Sequence, residues 1–527
     1  MDRRQLLRST SAFAGAALFA PMMRALDGVA PASALVLTGA QERWQKTYDS
    51  ALAVLAGNVK QVPGYDRPVL VEGAVYPGVW LECGPHESYV YRHVRPDIAR
   101  QNHLAFFTLQ RPDGQLPASI KMKETGYGQI QMVVPIAATA WEIAQETDDS
   151  ELLDKAYAAC SRWEDWLAKY RNTRGTGLVE GFCTYDTGHD NSPRWKGIPN
   201  RCPGGDAKKY PHLPGMPRIC PDLSATSYGG RIALAKMANA LGRRDEAAQW
   251  QQKADTMQRL ILEKLYSPDD ACFYDLDTNN QFIRIRGDLM TRVVGEHVVD
   301  SSIFAVMWKK QFGNPKAFWA PYPLPSIALN DPAFVRPIPR NSWGGATQAL
   351  TALRAPRWME HYGRSADMAH MMEQWTEAIS RYGDFRQQMD PLTGDFTRID
   401  SSGYSPAALV FFDYSQRLGG PRVEGEDLEW NVRPSTFAAG TRFVRTLKDK
   451  RIAEMIYLGT AVDFKLGGRH LLRAQGNVRL LTDMTGRITG AVGSSQAMQK
   501  VTLIAPSGKT HRLTLKPNQR VSFAFET

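Results

Sequence analysis

The sequence predicts a mainly α-helical protein whose helices pair into a closed ring, followed by a smaller all-β domain. Three observations carry this prediction. Apolar residues recur every three to four positions from about residue 40 to 420, and long stretches rich in Pro, Gly and aromatic residues separate the helical runs. After Gly419-Gly420-Pro421 the texture changes to short β-rich segments between turn residues. With 527 residues, 43% hydrophobic and 22% charged, the chain can bury a large core and lies outside the composition of disordered polymers.

The chain opens on MDRRQLLRSTSAFAGAALFAP, where Arg3, Arg4 and Arg8 precede a mildly apolar run of small residues. Ala32-Ser33-Ala34 supplies a small-residue cleavage site, so residues 1–34 are read as an export signal of twin-arginine type. Pro21 and Arg24 break the apolar run well short of the ~20 residues a membrane span needs, and no later segment is a transmembrane candidate. The expected location is the bacterial periplasm or the medium outside the cell. An oxidising compartment gives meaning to the six cysteines: Cys202 and Cys220 bracket a Gly-, Pro- and Lys-rich loop and are the expected disulfide, whereas Cys160 lies on an apolar stripe as a core thiol.

The ring is expected to span residues 35–420. Leu153, Ala156, Cys160, Trp163 and Leu167 share one helical face, as do Trp250, Ala254, Met257 and Ile261, and Met368, Met372, Trp375 and Ile379. A further helical run precedes each set: 130–144, 227–241 and 345–362. The breaks, at Thr147-Asp148-Asp149, Gly242 and Gly363, are short enough to imply antiparallel hairpins. The intervening stretches 68–98, 171–226, 310–345 and 383–405 are long for connections without a role, and are expected to gather at one mouth of the ring. Residues 421–527 read as a small sandwich, with strands at Val478–Thr482, Lys500–Ala505, His511–Leu515 and Arg520–Phe525.

The net charge of +10 and pI near 9.2 are spread without basic runs or a nucleic-acid motif, so the charge is read as a solubility property and no nucleic-acid partner is expected. The histidines form neither HxH nor HExxH and no Gly-rich phosphate loop follows a strand, so neither a metal nor a cofactor is expected. Chemistry is densest at Tyr185–Trp195, YDTGHDNSPRW. Asp190, Asn191 and Arg194 can engage sugar hydroxyls while Trp195 offers an aromatic platform; a helix-capping loop with Trp195 packed inward explains the same residues equally well.

The string GHDNSPRW resembles the (E)SGxDNSPRW segment of inverting (α/α)6-barrel glycoside hydrolases, the superfamily of trehalases, processing α-glucosidase I and mannosylglycerate or glucosylglycerate hydrolases. RPDGQLPA (Arg111 to Ala118), PDLSA (Pro221 to Ala225), ALTALRAPRWMEHYG ending at Gly363, MDPLTGDF (Met389 to Phe396) and GYSPAALVFF (Gly403 to Phe412) resemble further segments in the same order, covering roughly residues 85–415. The resemblance implies an (α/α)6 toroid, a carbohydrate substrate and Asp190 as general acid. The residues expected to bind the sugar are Asn191, Arg194, Trp195, Arg340, Trp343 and Tyr127.

The sequence departs from the family where the general base, a glutamate four residues before the proline of DPxTG, is expected: here stands Gln387, with Gln388 beside it. A neutral amide does not take a proton from water, whereas inverting hydrolysis needs a carboxylate ~6.5–9.5 Å from the acid. Three readings follow: another carboxylate serves, with Asp384, Asp390 and Glu87 as candidates; the mechanism is a variant; or the protein is a weakened binder. Lys196 and the Asn341–Gly345 loop depart further and bear on sugar specificity. GPHES (Gly84 to Ser88) reads as either a substrate loop or a solvated turn.

The leading expectation is therefore an exported glycosidase that acts with inversion on an oligosaccharide or small glycoside. A non-catalytic carbohydrate binder on the same barrel and a polysaccharide lyase using Tyr185 and His189 are the alternatives. Asp186-Thr187-Gly188 spells the aspartic-protease triplet, but a second such triplet on a β lobe is missing.

Overall fold

The computed structural model describes residues 34–210 and 215–525, so the expected export segment falls outside the described residues except for Ala34. Twelve α-helices occur among them: α1 (Glu42–Gly57), α2 (Gly84–Tyr91), α3 (Pro96–Thr108), α4 (Ile136–Thr147), α5 (Ser150–Tyr170), α6 (Pro221–Ala240), α7 (Arg244–Leu265), α8 (Leu289–Gly295), α9 (Ser301–Met307), α10 (Ala349–His361), α11 (Ser365–Tyr382) and α12 (Ser405–Gly419). The even-numbered helices each touch the next, α2 to α4, α6, α8, α10, α12 and back to α2, and so form a closed inner ring. The odd-numbered helices lie outside it, and the whole is the (α/α)6 toroid that the sequence predicts.

Burial explains why some helices announce themselves in the sequence and others do not. Outer α7 buries a single stripe, Ala247, Trp250, Ala254, Met257, Ile261 and Leu265, and keeps polar residues elsewhere. Inner α2 is buried on almost every residue, so its sequence carries no 3.6-residue alternation. The hairpin turns form where expected: the Asp149 side chain accepts from the Leu152 N–H at 2.9 Å and caps α5, and Gly242 and Gly363 adopt positive φ between α6 and α7 and between α10 and α11. The stretch 68–98 is not a loop throughout, since it contains α2 and the start of α3. Its GPHES segment is a buried helical turn, because Pro85 can occupy the first turn without a lost hydrogen bond.

The C-terminal region is a two-sheet antiparallel sandwich. Its strands are β1 (Leu35–Thr38), β2 (Pro421–Glu424), β3 (Asp427–Val432), β4 (Arg442–Thr446), β5 (Ile452–Tyr457), β6 (Ala461–Leu466), β7 (Arg469–Gln475), β8 (Val478–Asp483), β9 (Ile488–Val492), β10 (Gln499–Ile504), β11 (Thr510–Leu515) and β12 (Arg520–Phe525). One sheet runs β1-β4-β5-β6-β7-β10-β11 and the other β2-β3-β8-β9-β12. Trp430 of β3 stacks on Phe464 of β6, with ring centroids 5.1 Å apart and planes 2° from parallel, at the centre of the interlayer core. Strand β1 differs from the expected partition: Leu35–Thr38 pairs with Arg442–Arg445 of β4 and so belongs to the sandwich, while α1, which follows it, packs on α11 and α12 of the ring.

Ring and sandwich are joined by charge as well as packing. Glu360, in the last turn of α10, is surrounded by Arg417 of α12 at 3.1 Å, Arg479 of β8 at 2.6 Å and Arg422 of β2. These guanidiniums hold its carboxyl well below the usual carboxylate range despite burial. Glu360→Ala leaves three guanidiniums without their shared anion. It is expected to cost about 3–5 kcal/mol, the scale for breaking a buried ion pair. Urea unfolding would check this, and an unchanged midpoint would refute it.

The expected Cys202–Cys220 disulfide is not formed. Thr184 and Tyr185 N–H groups donate to Pro199 and Asn200 carbonyls, folding the chain back so that Cys202 Sγ faces Cys183 Sγ at 3.5 Å. The strand Arg218–Ile219 pairs with Glu180–Gly181 and directs Cys220 to the Trp195 side of Gly181. All six cysteines are buried and no two are at bonding distance in this structure, and Cys160 lies in the core stripe of α5. No helix among the described residues is long and apolar enough to cross a membrane.

Candidate active site

A cavity of about 580 Å³ opens on the face of the ring where the inner helices begin. Its walls come from the segments that lead into α2, α4, α6, α10 and α12, so the N-terminal ends of inner helices face it and their partial positive charge favours acidic groups there. Its carboxylates are Glu72, Glu82, Asp190 and the exposed Glu124, which pairs with Lys121; Trp80 and Tyr76 are its half-buried aromatics, with Trp343 and Tyr404 buried in the wall. Arg111, Lys121, Arg201, Tyr127 and Tyr185 also line it.

The 185–195 segment is locked from several sides. Asp186, of the protease-like triplet, is fully buried against Arg171 at 2.5 Å and accepts from the Phe182 and Ile130 N–H groups, so it is a structural anchor. Arg194 does not reach the cavity: it is buried between Asp222 (2.8 Å) and Asp275 (2.6 Å) and donates to His189 Nδ1. The expectation that Arg194 engages sugar is thereby corrected, because two carboxylates already fill its fork. Trp195 is not a platform either. It is buried, packs over Gly181 and donates from Nε1 to Thr187 Oγ1 at 2.9 Å.

Asp190 is the carboxylate of the string that the fold presents to the cavity, beside Tyr185 and Gly188. Its backbone carbonyl accepts from Trp343 N–H at 3.0 Å, which fixes the main chain, and its Oδ2 accepts from Asn341 Nδ2 at 3.3 Å. Burial, and then the negative charge of Glu82, push the Asp190 carboxyl up to about 7. Glu82 is also raised by burial, but Arg354 and Arg292 draw it back toward the ionised form, and Gln131 donates to it at 3.1 Å. Glu72 is pushed well above the carboxylate range by burial and Glu87, and is bonded to the Tyr404 hydroxyl at 2.5 Å. Burial thus shifts all three carboxylates toward the protonated form, and of the three Glu82 has two arginines, Arg354 and Arg292, opposing that shift.

Gln387 also lines the cavity. Tyr76 donates to its Oε1 at 2.9 Å, and its Nε2 donates to Asn341 Oδ1 at 3.4 Å. Asn341 therefore bridges Gln387 and Asp190, and the two end groups lie no more than about 9 Å apart, one amide between them. Gln388, next along the chain, is fully committed to Pro339, Thr397, Ser342 and Gln348.

Other expected residues fall elsewhere. Asp390 closes its own turn by accepting from Leu392 N–H at 2.8 Å and pairs with Arg336, outside the cavity wall. Asp384 is held below the usual carboxylate range by Arg386 and Ser402, and Glu87 is enclosed in α2 beside Cys83. None of the three carboxylates proposed for the base lines the cavity. Asn191 is exposed at φ 55° and donates to the Asn341 carbonyl at 2.7 Å, and Arg340 is exposed and paired with Asp400. Trp343, with the His189 ring tilted against it at 4.7 Å, and Tyr127, with Arg111 3.9 Å above its ring, do line the cavity. His189, considered for lyase chemistry, is buried and held neutral by desolvation and by Arg292 and Arg194.

Glu82, Glu72, Tyr76, Trp80 and Tyr404 are site residues that sequence reasoning did not single out. The available signal was Glu82 itself, an acid in an otherwise apolar run two residues before the GPHES turn. Its position constrains Gly188, whose φ is 65° and where an added Cβ would lie 1.7 Å from Glu82 Oε2. Gly188→Ala is expected to displace either Glu82 or the Asp190 loop and to lower kcat ~100-fold, the scale of a 1 Å misplacement. Steady-state kinetics on a folded variant would check this; full activity would mean that the contact yields without consequence.

A family model described as the mannosylglycerate hydrolase MGH1-like glycoside hydrolase domain matches residues 76–406. Among solved structures, the chain is similar to the GH63 mannosylglycerate hydrolase of Thermus thermophilus, at 19% identity and TM-score 0.57, over 70% of this chain and 100% of that one. It is also similar to the neutral trehalase of Saccharomyces cerevisiae, at 14% identity and TM-score 0.54, over 69% and 80% of the two chains. Similarity to the GH78 rhamnosidase of a Bacillus species, at 12% identity and TM-score 0.56, extends over 80% of this chain and 40% of that one.

Proposed function

Since this chain belongs to the mannosylglycerate hydrolase MGH1-like glycoside hydrolase family and is a glycosidase, we propose that it is exported and cleaves a small glycoside or oligosaccharide with inversion, using Asp190 as acid and Glu82 as base. The observation that carries this reading is the split between the two carboxylates in one cavity. Burial and the charge of Glu82 push the Asp190 carboxyl up to about 7, within reach of a proton near neutral pH, while on Glu82 the upward push of burial is opposed by Arg354 and Arg292.

In this mechanism Asp190 gives its proton to the departing glycosidic oxygen, and Glu82 takes a proton from the water that attacks the anomeric carbon from the other face. Gln387 keeps its amide oxygen on Tyr76 and its amide nitrogen directed at Asn341, so it positions rather than activates. Trp80, half-buried, offers a face for the sugar ring, while Trp343 is buried against His189 and Arg292 in the wall behind it. The cavity volume falls in the range of small-ligand sites, about 300–1,000 Å³, which favours a short substrate over a polymer lying across the surface. The twin-arginine string and the Ala32-Ser33-Ala34 cleavage site support export.

The test is a panel of aryl glycosides and disaccharides, including mannosylglycerate, with the product anomer followed by proton NMR and absorbance followed at 235 nm. Inverted product is expected. Retained configuration, or an unsaturated chromophore, would overturn the mechanism.

A further inference from the structure

We infer that Cys183 and Cys202 form a disulfide that closes the loop carrying Asp190. Their sulfurs already lie 3.5 Å apart, and both side chains are buried in a small cluster with Phe182 and Met216, separate from the main core. The facing is imposed by the backbone, because the N–H groups of Thr184 and Tyr185 donate to the carbonyls of Pro199 and Asn200 and so bring the two ends of the loop side by side. A modest side-chain rotation brings such a pair to the ~2.05 Å of a bond. The other cysteines are placed differently: Cys83 lies beside Glu87, Cys220 beside the Arg218 carbonyl, Cys272 beside the Met290 sulfur, and Cys160 in the α5 core.

A metal is the competing use of the same sulfurs, since Asp186 lies within ligand range of both. Its oxygens are already taken, Oδ2 by Arg171 and Phe182 N–H and Oδ1 by Ile130 N–H. The Arg171 guanidinium also reaches Cys202 Sγ at 3.6 Å, placing a fixed positive charge where a metal ion would sit. That charge does not oppose a neutral disulfide.

In the oxidation, the two thiols lose two protons and two electrons to form one S–S bond, and a protein disulfide of the exporting compartment accepts them and becomes a dithiol. Burial pushes the Cys183 thiol well above its ordinary range, so exchange proceeds when the 183–202 loop opens rather than in the packed state. The closed loop contains all of Tyr185–Trp195 and holds the Asp190 segment even when the surrounding contacts loosen. The inference rests on the proposed export for its oxidant. It is tested without reference to activity.

The full-length protein is expressed with its leader, recovered from the exported fraction, denatured, and titrated for free thiols, with peptide mapping before and after reduction. Four of the six cysteines are expected to titrate, with Cys183 and Cys202 in one linked peptide. Cys220→Ser is expected to leave that link intact with three free thiols, whereas Cys183→Ser gives five. The purified reduced protein, incubated with oxidised glutathione under mild denaturant, is expected to form the same link, which separates failure of the pairing from failure of export. Six free thiols in that second experiment, a link between other cysteines, or stoichiometric zinc with both thiols retained would overturn the inference.

Discussion

Asp190→Asn is expected to lower kcat by ~10²–10⁴, the usual contribution of a positioned proton donor, while leaving substrate binding close to its original strength. The asparagine keeps the contact with Asn341, whose amide donates to Asp190 Oδ2, and the backbone bond from Trp343 is untouched. Loss of turnover therefore reports the proton and not the fold. The loss is expected to be smallest for substrates whose leaving group needs no protonation, such as dinitrophenyl glycosides. In the unmodified enzyme, pH gives an independent reading. Catalysis needs Asp190 protonated, and its carboxyl titrates at about 7, so kcat/KM is expected to fall as pH rises through that value, tenfold per unit at the limit. A flat profile between pH 6 and 9, or an Asp190→Asn variant with full activity on an alkyl glycoside, would remove Asp190 from the acid role.

Glu82→Gln is expected to give the second large loss, again ~10²–10⁴ in kcat, because Glu82 is the cavity carboxylate proposed as base and its nearest rival in charge, Glu124, is tied to Lys121. Azide needs no deprotonation, and is expected to restore turnover of this variant by forming the inverted glycosyl azide. The same substitution removes the negative charge that raises Asp190, so the basic limb of the residual activity is expected to move to lower pH. A purely structural role for Glu82 would yield neither azide rescue nor a shifted limb. If Glu82→Gln keeps its full rate, the base lies elsewhere, and Gln387→Glu becomes the informative variant.

What could be read from the sequence divides along burial. The outer helices α5, α7 and α11 show clear apolar stripes because one side of each meets water. Helix α2 is buried on almost every residue, so nothing in its eight positions alternates and its segment reads as loop. The four C-terminal strands expected from the sequence coincide with β8, β10, β11 and β12 to within a residue. At the site, Asp190 is reached through the resemblance of GHDNSPRW to a known segment, and the structure places it on the cavity wall. Arg194 and Trp195 were misplaced because an arginine and a tryptophan suit a buried ion-pair cluster as well as a sugar subsite, and only three-dimensional neighbours such as Asp222 and Asp275 distinguish the two. Glu82 reaches Gly188 from more than a hundred residues away, a pairing that local spacing does not encode.

Strand β1 and helix α1 bear on the order in which the molecule assembles. Leu35–Thr38 finds its ladder partner only at Arg442–Arg445, and α1 finds its packing partners only at α11 and α12. The ring's last seam and the sandwich's outer edge thus both join early chain to late chain. Such distant closure slows folding, because loop entropy is lost before the contacts that compensate it are made. An N-terminal fragment ending before residue 442 leaves a strand edge without its mate, a template for self-association. The candidate cavity, lined from Glu72 to Tyr404, is accordingly complete only in a chain that has closed on itself.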